Sequence, residues 1–203
     1  TYLRFGFGKS FIYTVTSELL GNFKFILSNP GREIDKRLYI DRELTSKHLR
    51  IWNTFSKLDS EFLIVVESDA KVTRNSKAFF SEILNAFEIR CLKGNDGNYC
   101  DLAGGFDLAD IYGQNINEMK SDSVFKTHEL GFVNTTCGYL VDRIFIESLL
   151  RYVAKRPLCL RLSVDSLLNN FLHSRSGREV NCWHPIRLPF EHGSQLEKRL
   201  RAI

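Results

Sequence analysis

FLIVVESDA, the sequence of residues 62–70, places five consecutive apolar residues directly before Glu67 and Asp69. A short run of β-branched and aromatic residues without polar alternation predicts a strand covered on both faces, as in the parallel sheet of an α/β domain. In such sheets ligands bind beyond the carboxyl ends of the strands, which is where Glu67 and Asp69 would lie. Two carboxylates at this position could together hold a divalent cation.

The size of the chain is suited to one domain. It has 203 residues, 43% of them hydrophobic, which is enough for a substantial core and leaves little room for a second domain. Helical and strand-like patterns alternate along most of the chain, which favours a doubly wound α/β layer. We therefore expect a single domain over residues 1–203, and the absence of an initiator methionine leaves room for a longer parent chain.

Charge and cysteine content narrow the class of protein. The net charge of +4 is too small to indicate nucleic-acid binding but suits a phosphorylated ligand or an anionic membrane surface. Five irregularly spaced cysteines indicate neither a disulfide framework nor a structural zinc site, which favours a reducing compartment. The sequence contains no signal peptide and no run close to the roughly 20 apolar residues of a membrane span. We expect a cytoplasmic protein.

Local patterns predict the elements around the central strand. Helices are predicted over residues 11–20, from a Thr45 or Ser46 cap, from about Ser76, and after the caps Asp142 and Ser163. Strands are predicted over residues 23–27, 100–105 and 131–141. Pro157 should end the helix that Asp142 begins. The polar segment Gly104–Asp122 is predicted to be a loop that covers a ligand.

Two of these stretches together resemble a known enzyme family. LTSKHLRIW at residues 44–52, followed by FLIVVESDA, resembles glycosyltransferase family 25, the lipooligosaccharide galactosyltransferase group. That family typically has a Ser-His-Leu-Arg-hydrophobic-Trp helix and then a hydrophobic strand ending in Glu-Asp-Asp-Ala. The resemblance is specific over residues 44–72 and extends more weakly to Gly138–Val141 and to Val164-Asp165. Lys47 and Ser68 depart from the family pattern, and the usual N-terminal Ile-Asn-Leu strand with its Arg is not evident.

The resemblance implies both a fold and an activity. The fold would be a GT-A type, Rossmann-like domain with a mixed, mostly parallel sheet flanked by helices. The activity would be the inverting transfer of a sugar from a nucleotide-sugar donor, commonly UDP-galactose, to a saccharide acceptor of a cell-surface glycan. Such an enzyme would serve lipopolysaccharide biosynthesis in the bacterial cytoplasm, at the inner face of the inner membrane, where it could associate peripherally.

The resemblance also assigns residues to the donor. Asp69 would bind Mn²⁺ or Mg²⁺, which prefer oxygen ligands and often use only one or two protein carboxylates. Glu67 would bind the ribose, or the cation through water, while Ser68 would face elsewhere because alternate residues of an extended chain point the same way. His48 and Arg50, from the preceding helix, would lie near the donor. A packed, hydrogen-bonded histidine is the ordinary alternative for His48.

Inverting transfer also needs a general base that accepts the proton of the acceptor hydroxyl. Asp165 matches a family position and is the predicted base, with Glu191 and Asp142 as substitutes. His184 and His192 are candidates for a late metal or diphosphate ligand, a role that GT-A enzymes often give to a histidine near the C-terminus. The ordinary alternative for both is a histidine in a surface loop.

Two other functions compete with this one. One is a metal-independent transferase that uses a CMP-activated sugar, in which Glu67 and Asp69 would contact the acceptor or the ribose. The other is a catalytically silent glycosyltransferase-like module that binds a glycan or a partner enzyme. Ser68 and the missing N-terminal signature motivate this second alternative.

Overall fold

The computed structural model describes residues 11–15, 33–94, 96–104 and 107–193, and for residues 11–15, 33–41, 114 and 115 it describes the backbone alone. In chain order the strands are β1 Phe11–Val15, β2 Phe62–Glu67, β3 Ala70–Val72, β4 Gly97–Asp101, β5 Ala103–Gly104, β6 Lys120–Ser121, β7 Phe125–Thr127, β8 Gly138–Asp142, β9 Val180–Pro185 and β10 Phe190–His192. The α-helices are α1 Glu33–Phe55, α2 Ser76–Lys93, α3 Leu108–Tyr112, α4 Arg143–Lys155 and α5 Val164–Leu172, and 3-10 helices cover Gly113–Glu118 and Pro157–Arg161. None of the helices described has the length and apolar character that a bilayer crossing requires.

Seven of these strands form one mixed sheet in the order β1-β2-β8-β4-β9-β7-β6. The pairs β1/β2 and β4/β9 are parallel, and the other four neighbouring pairs are antiparallel. The predicted mixed α/β fold with flanking helices is therefore confirmed, but the prediction of a mostly parallel sheet is wrong. A continuous apolar run indicates only that a strand is covered on both faces, and it leaves the direction of the neighbouring strands open.

Side chains of β2 enter two separate hydrophobic cores. Leu63 and Val65 belong to a core built with α1, α4 and α5, in which Trp52 is fully buried. Ile64 points to the other face and packs in a core that includes Phe87 of α2. The alternation of these side chains confirms that β2 is covered on both faces.

A second, smaller sheet in the order β3-β10-β5 continues from one edge of the large sheet. β2, β4 and β9 all run in the same direction, because β8 is antiparallel to both β2 and β4 while β9 is parallel to β4. Each strand of the small sheet follows one of these three: β3 follows β2, β5 follows β4, and β10 follows β9. The small sheet thus joins three chain segments that leave the same edge.

Two of the predicted helices need correction. α1 begins at Glu33, so Thr45 and Ser46 lie inside the helix and do not cap it. Thr45 is buried and donates a hydrogen bond from Oγ1 to the carbonyl oxygen of Leu162 at 2.8 Å, a tertiary contact that the local pattern does not reveal. Residues 11–15 form β1 and not a helix, while residues 16–20 and the predicted strand 23–27 lie outside the described residues.

The helix caps are predicted more accurately. α2 begins at Ser76, and α4 ends at Lys155, two residues before Pro157. The side chains of Asp142 and Ser163 accept hydrogen bonds from the backbone N–H groups of Phe145 and Ser166 and so cap α4 and α5. The predicted strand 100–105 overlaps β4 and β5. Of the predicted strand 131–141, only residues 138–141 lie in a strand, β8, which continues to Asp142. The predicted loop Gly104–Asp122 contains α3.

Asp142 is a buried carboxylate that joins several elements at the end of β8. Besides capping α4, it accepts hydrogen bonds from Asn98 Nδ2 at 2.7 Å and from Cys91 Sγ at 3.6 Å. Burial raises the pKa of the Asp142 carboxyl, and the hydrogen bonds from Asn98 and Phe145 offset only part of that rise.

This raised pKa predicts a pH dependence of stability. Folded Asp142 keeps its proton to a higher pH than the unfolded chain does, so its contribution to the free energy of unfolding falls as the pH rises from the unfolded pKa of about 4 through the raised value. We expect Asp142→Asn, which retains a capping side chain, to lose less stability than the wild type over this range. Urea unfolding of both proteins measures the difference, and a difference that does not change with pH would contradict the prediction.

Candidate functional site

The carboxyl ends of β2, β4 and β9 and the start of β8 meet at one edge of the large sheet. β8 begins there because it is antiparallel to both neighbours, pairing Val66 with Gly138 and Asp101 with Tyr139. Glu67 is the last residue of β2, and its backbone N–H donates to the carbonyl oxygen of Cys137 at 2.8 Å. Both predicted acids therefore lie at the strand end, beside the segment that leads into β8.

His48 projects from α1 into this edge and is completely buried. Its Nδ1 lies 2.7 Å from the hydroxyl of Tyr139, which also accepts a hydrogen bond from Trp52 Nε1 at 3.0 Å. Its Nε2 lies 3.2 Å from Glu67 Oε1. Every donor and acceptor named here has a hydrogen-bond partner when Tyr139 donates its O–H to His48 Nδ1 and the Nε2–H of His48 donates to Glu67. His48 is thereby fixed between the core and the carboxylate.

Glu67 is held as an ionised group. Burial alone raises the pKa of its carboxyl, but the hydrogen bond from the Nε2–H of His48 and the Thr136 hydroxyl beside the carboxylate outweigh burial and lower the pKa overall. A buried carboxylate with fixed partners is a well-oriented acceptor for a ligand hydroxyl or a cation.

Asp165 lies on the other side of Thr136, in the first turn of α5. The backbone N–H of Thr136 donates to Asp165 Oδ1 at 3.0 Å, and the Thr136 hydroxyl lies beside the carboxyls of both Asp165 and Glu67. Burial raises the pKa of Asp165 and the negative charge of Glu67 raises it further, while the Thr136 hydrogen bonds only partly oppose these effects. The proton affinity of Asp165 thus exceeds that of an ordinary aspartate.

Asp69 forms a separate group with Cys137 and His192. Asp69 Oδ1 lies 3.5 Å from Cys137 Sγ, and Asp69 Oδ2 lies 3.7 Å from His192 Nε2. The backbone carbonyl of Asp69 also accepts a hydrogen bond from the N–H of Gly193 at 3.0 Å. The three side chains come from the β2–β3 turn, the segment before β8 and the end of β10, and they are one of two groups in the described part of the chain with metal-ligand spacing.

The structure does not bring three other predicted residues to this group. Arg50 is exposed on α1, and a helical residue two positions from His48 does not share its face. Glu191 alternates with His192 along β10, so its side chain points to the opposite face of the small sheet. Asp142 pairs with Phe62, at the opposite edge of the large sheet.

His184 lies in β9 and is buried, so it is not a surface loop histidine. Its Nε2 lies 2.8 Å from the hydroxyl of Tyr112 and 3.9 Å from Cys182 Sγ. Its Nδ1 lies 2.8 Å from Asp101 Oδ2, although this contact lacks the alignment of a hydrogen bond. Asp101 is itself held by the hydroxyl of Tyr99 at 2.9 Å. His184 thus belongs to a second, buried group and not to the one at Asp69.

Sequence reasoning missed Thr136, Cys137 and the buried group around His184. Cys182 and His184 are two residues apart on a strand and therefore share a face, which is the one local signal that was available. Thr136 and Cys137 lie in an irregular segment where no periodicity marks them. Their contacts with Asp165 and Asp69 are tertiary and depend on the completed fold.

The hydroxyl of Tyr139 should contribute strongly to stability. Tyr139→Phe keeps the packed ring but leaves Trp52 Nε1 and His48 Nδ1 buried without this partner, at a cost of about 1–3 kcal/mol for each unsatisfied group. We expect the free energy of unfolding to fall by about 2–4 kcal/mol in urea titrations. Tyr152→Phe is the matched control, because its hydroxyl makes only a long 3.4 Å contact with the carbonyl of Asn170. Equal losses in the two variants would contradict the role of the buried network.

Comparisons with protein-family models, curated proteins and solved structures found no match to this chain. The resemblance to glycosyltransferase family 25 therefore stays a prediction from the sequence, made on residues 44–52 and 62–70 and more weakly on Gly138–Val141 and Val164-Asp165.

Proposed function

We propose that this chain is an inverting glycosyltransferase with a GT-A type domain. One observation carries the proposal: His48, Glu67 and Asp165 come from three separate stretches of the family resemblance, yet His48 contacts Glu67 directly and Thr136 lies between Glu67 and Asp165. A chance likeness in sequence gives no reason for these positions to meet at one edge of a sheet. That edge is also where α/β proteins bind their ligands.

Glu67 and Asp69 would bind the donor in this function. Glu67, oriented by His48, would accept a hydrogen bond from a ribose hydroxyl. Asp69 and His192 would hold a divalent cation, and the residues fit one, since a carboxylate oxygen and an imidazole nitrogen lie 3.7 Å apart with both side chains partly exposed. Such a cation supplies positive charge that stabilises a diphosphate leaving group.

Asp165 would accept the proton of the acceptor hydroxyl. Burial and the charge of Glu67 raise its pKa, so it would bind the acceptor proton more readily than an ordinary aspartate does. The hydrogen bond from the backbone N–H of Thr136 orients this carboxylate.

The proposal also names a donor and an acceptor for the reaction. The donor would be UDP-galactose, and the acceptor a saccharide of a bacterial cell-surface glycan such as lipopolysaccharide. The enzyme would then work in the cytoplasm at the inner face of the inner membrane.

A thermal-shift screen of UDP, CMP and UDP-galactose, with and without Mn²⁺ or Mg²⁺, tests the proposal. A ligand at 100 times its Kd adds about 2.7 kcal/mol to the free energy of unfolding. For a domain of this size we expect UDP with a cation to raise Tm by about 5–10 °C. A shift with CMP alone would favour the metal-independent transferase. Binding without any nucleotide release from UDP-galactose, with or without acceptors, would favour the silent module.

A further inference from the structure

Asp69, Cys137 and His192 offer three different kinds of metal ligand at one point: a carboxylate, a thiol and an imidazole. Their ligand atoms all lie within 4.8 Å of one another. The sequence gives a role to Asp69 and His192 but none to Cys137, which is buried and directs its Sγ at Asp69 Oδ1. The thiol therefore remains to be explained.

The separations of these atoms match the coordination sphere of a small divalent cation. Zinc bonds of about 2.0 Å to oxygen or nitrogen and 2.3 Å to sulfur, at tetrahedral angles, separate sulfur from oxygen by about 3.5 Å and oxygen from nitrogen by about 3.3 Å. The corresponding distances here are 3.5 Å between Cys137 Sγ and Asp69 Oδ1 and 3.7 Å between Asp69 Oδ2 and His192 Nε2. The two distances involve different oxygens of the Asp69 carboxylate, and the ligand atoms of all three residues lie within 4.8 Å of one another, so side-chain adjustment would bring them onto one ion.

Backbone contacts hold the three residues near these positions. Cys137 is fixed by the hydrogen bond from the N–H of Glu67 to its carbonyl, and His192 by its pairing with Ala70 across β3 and β10. The turn at Asp69 is held against Gly193, where an added Cβ would come within 2.5 Å of the Asp69 carbonyl oxygen. The ligands are therefore arranged by the fold before any ion binds.

One side of the group is open to solvent. The side chain of Asp69 is 45% exposed and that of His192 is 23% exposed, while Cys137 closes the site from within. Three protein ligands with an accessible fourth position are the arrangement of a catalytic metal site, whereas structural sites are closed by four protein ligands.

We propose that Asp69, Cys137 and His192 bind one divalent cation of the Zn²⁺ and Co²⁺ class, with Cys137 as a thiolate ligand and the fourth position open to a phosphate oxygen. The inference deepens the proposed glycosyltransferase function, on which it rests for the use of that fourth position. A thiolate favours zinc and similar ions, while the hard Mg²⁺ ion prefers an all-oxygen site. Binding releases the thiol proton to the solvent.

The ordinary explanation of Cys137 is a thiol that donates a weak hydrogen bond to a carboxylate. Cys91 makes that contact with Asp142 Oδ2 at 3.6 Å and belongs to neither of the ligand groups in the described residues. The two cysteines thus form a matched pair, because both make the same thiol–carboxylate contact. They differ in that a histidine ligand lies beside Cys137, whereas Cys91 is in neither ligand group of the described residues. Cys91→Ser is the control for Cys137→Ser.

The experiment is a Co²⁺ titration of the reduced, chelator-treated chain, followed by near-ultraviolet and visible absorption. We expect a thiolate-to-cobalt charge-transfer band that saturates at one ion per chain. The band should disappear in Cys137→Ser, persist in Cys91→Ser, be displaced by Zn²⁺ and withstand equimolar Mg²⁺. His192→Asn, which alters a more exposed ligand, should weaken Co²⁺ binding at least about 10-fold and provides a second test if Cys137→Ser does not fold.

Each contrary outcome overturns the inference. A band that survives in Cys137→Ser and disappears in Cys182→Ser would place the ion in the buried Asp101–Cys182–His184 group. No band at all, or equal competition by Mg²⁺, would exclude a thiolate-bound ion at Asp69. The two proposals can fail separately. A Cys137-dependent band without sugar transfer would support the metal site and contradict the transferase. Sugar transfer that Mg²⁺ supports, without a band, would support the transferase and contradict the thiolate-bound ion.

Discussion

Replacing Asp69 with asparagine is expected to lower the rate of the proposed sugar transfer by about 100-fold or more. Asparagine has nearly the same size as aspartate but lacks the negative charge, so it binds a divalent cation much more weakly. Charge stabilisation by a metal ion supplies several kcal/mol in the transition state, and each 1.36 kcal/mol is a factor of ten in rate. Release of nucleotide from UDP-galactose, measured across a cation titration, checks the prediction.

Ser68 provides the control for this variant. It lies exposed in the turn between the two acids and is not a member of the ligand group formed by Asp69, Cys137 and His192. Ser68→Ala should therefore leave the transfer rate within about two-fold of the wild type, a change of less than ~0.5 kcal/mol. If Asp69→Asn retained full, cation-dependent activity, Asp69 would have no role in holding the ion.

Replacing Trp52 with alanine is expected to destabilise the fold by about 3–5 kcal/mol, the usual cost of removing a large aromatic side chain from a core. Trp52 is completely buried in the core shared by α1, α4 and α5, and its Nε1 donates to the hydroxyl of Tyr139. The substitution removes both the packing and one partner of the network that orients His48. Urea unfolding followed by circular dichroism measures the loss.

Asn53 is the neighbouring control on the same helix. Its side chain is exposed and bonds only to the carbonyl of Leu49 at 2.9 Å, so Asn53→Ala should change stability by no more than about 0.5 kcal/mol. Trp52→Phe should give an intermediate loss, because it keeps most of the packed volume but not the hydrogen bond. A loss near zero in Trp52→Ala would show that α1 is not anchored through this residue.

The parts of the fold that could be predicted from the sequence are those with local causes. The apolar run at residues 62–66 is long enough to mark a doubly covered strand, and Glu67 follows at its end. Asp142 and Ser163 were recognisable as caps because their side chains bond to backbone N–H groups only a few residues ahead. These contacts depend on little beyond the local chain.

The errors have tertiary causes. The direction of β8 between β2 and β4 is set by pairing across the sheet, which no single strand pattern encodes. Thr45 has the composition of a cap but lies inside α1, because its hydroxyl finds a distant partner in the carbonyl of Leu162. Glu191 and His192 were both plausible site residues, and only the alternation along β10 separates them.

The small sheet has a consequence for the order of folding. It closes the group at Asp69 by pairing β3 with β10, and Asp69 contacts a cysteine 68 residues further along the chain and a histidine further still. Contacts between such distant residues are slow to form, because long loops must close before the contacts stabilise the chain. The group is therefore complete only once β2, β8 and β10 are all in place. During refolding, binding of an ion there would report that all three strands have reached their places.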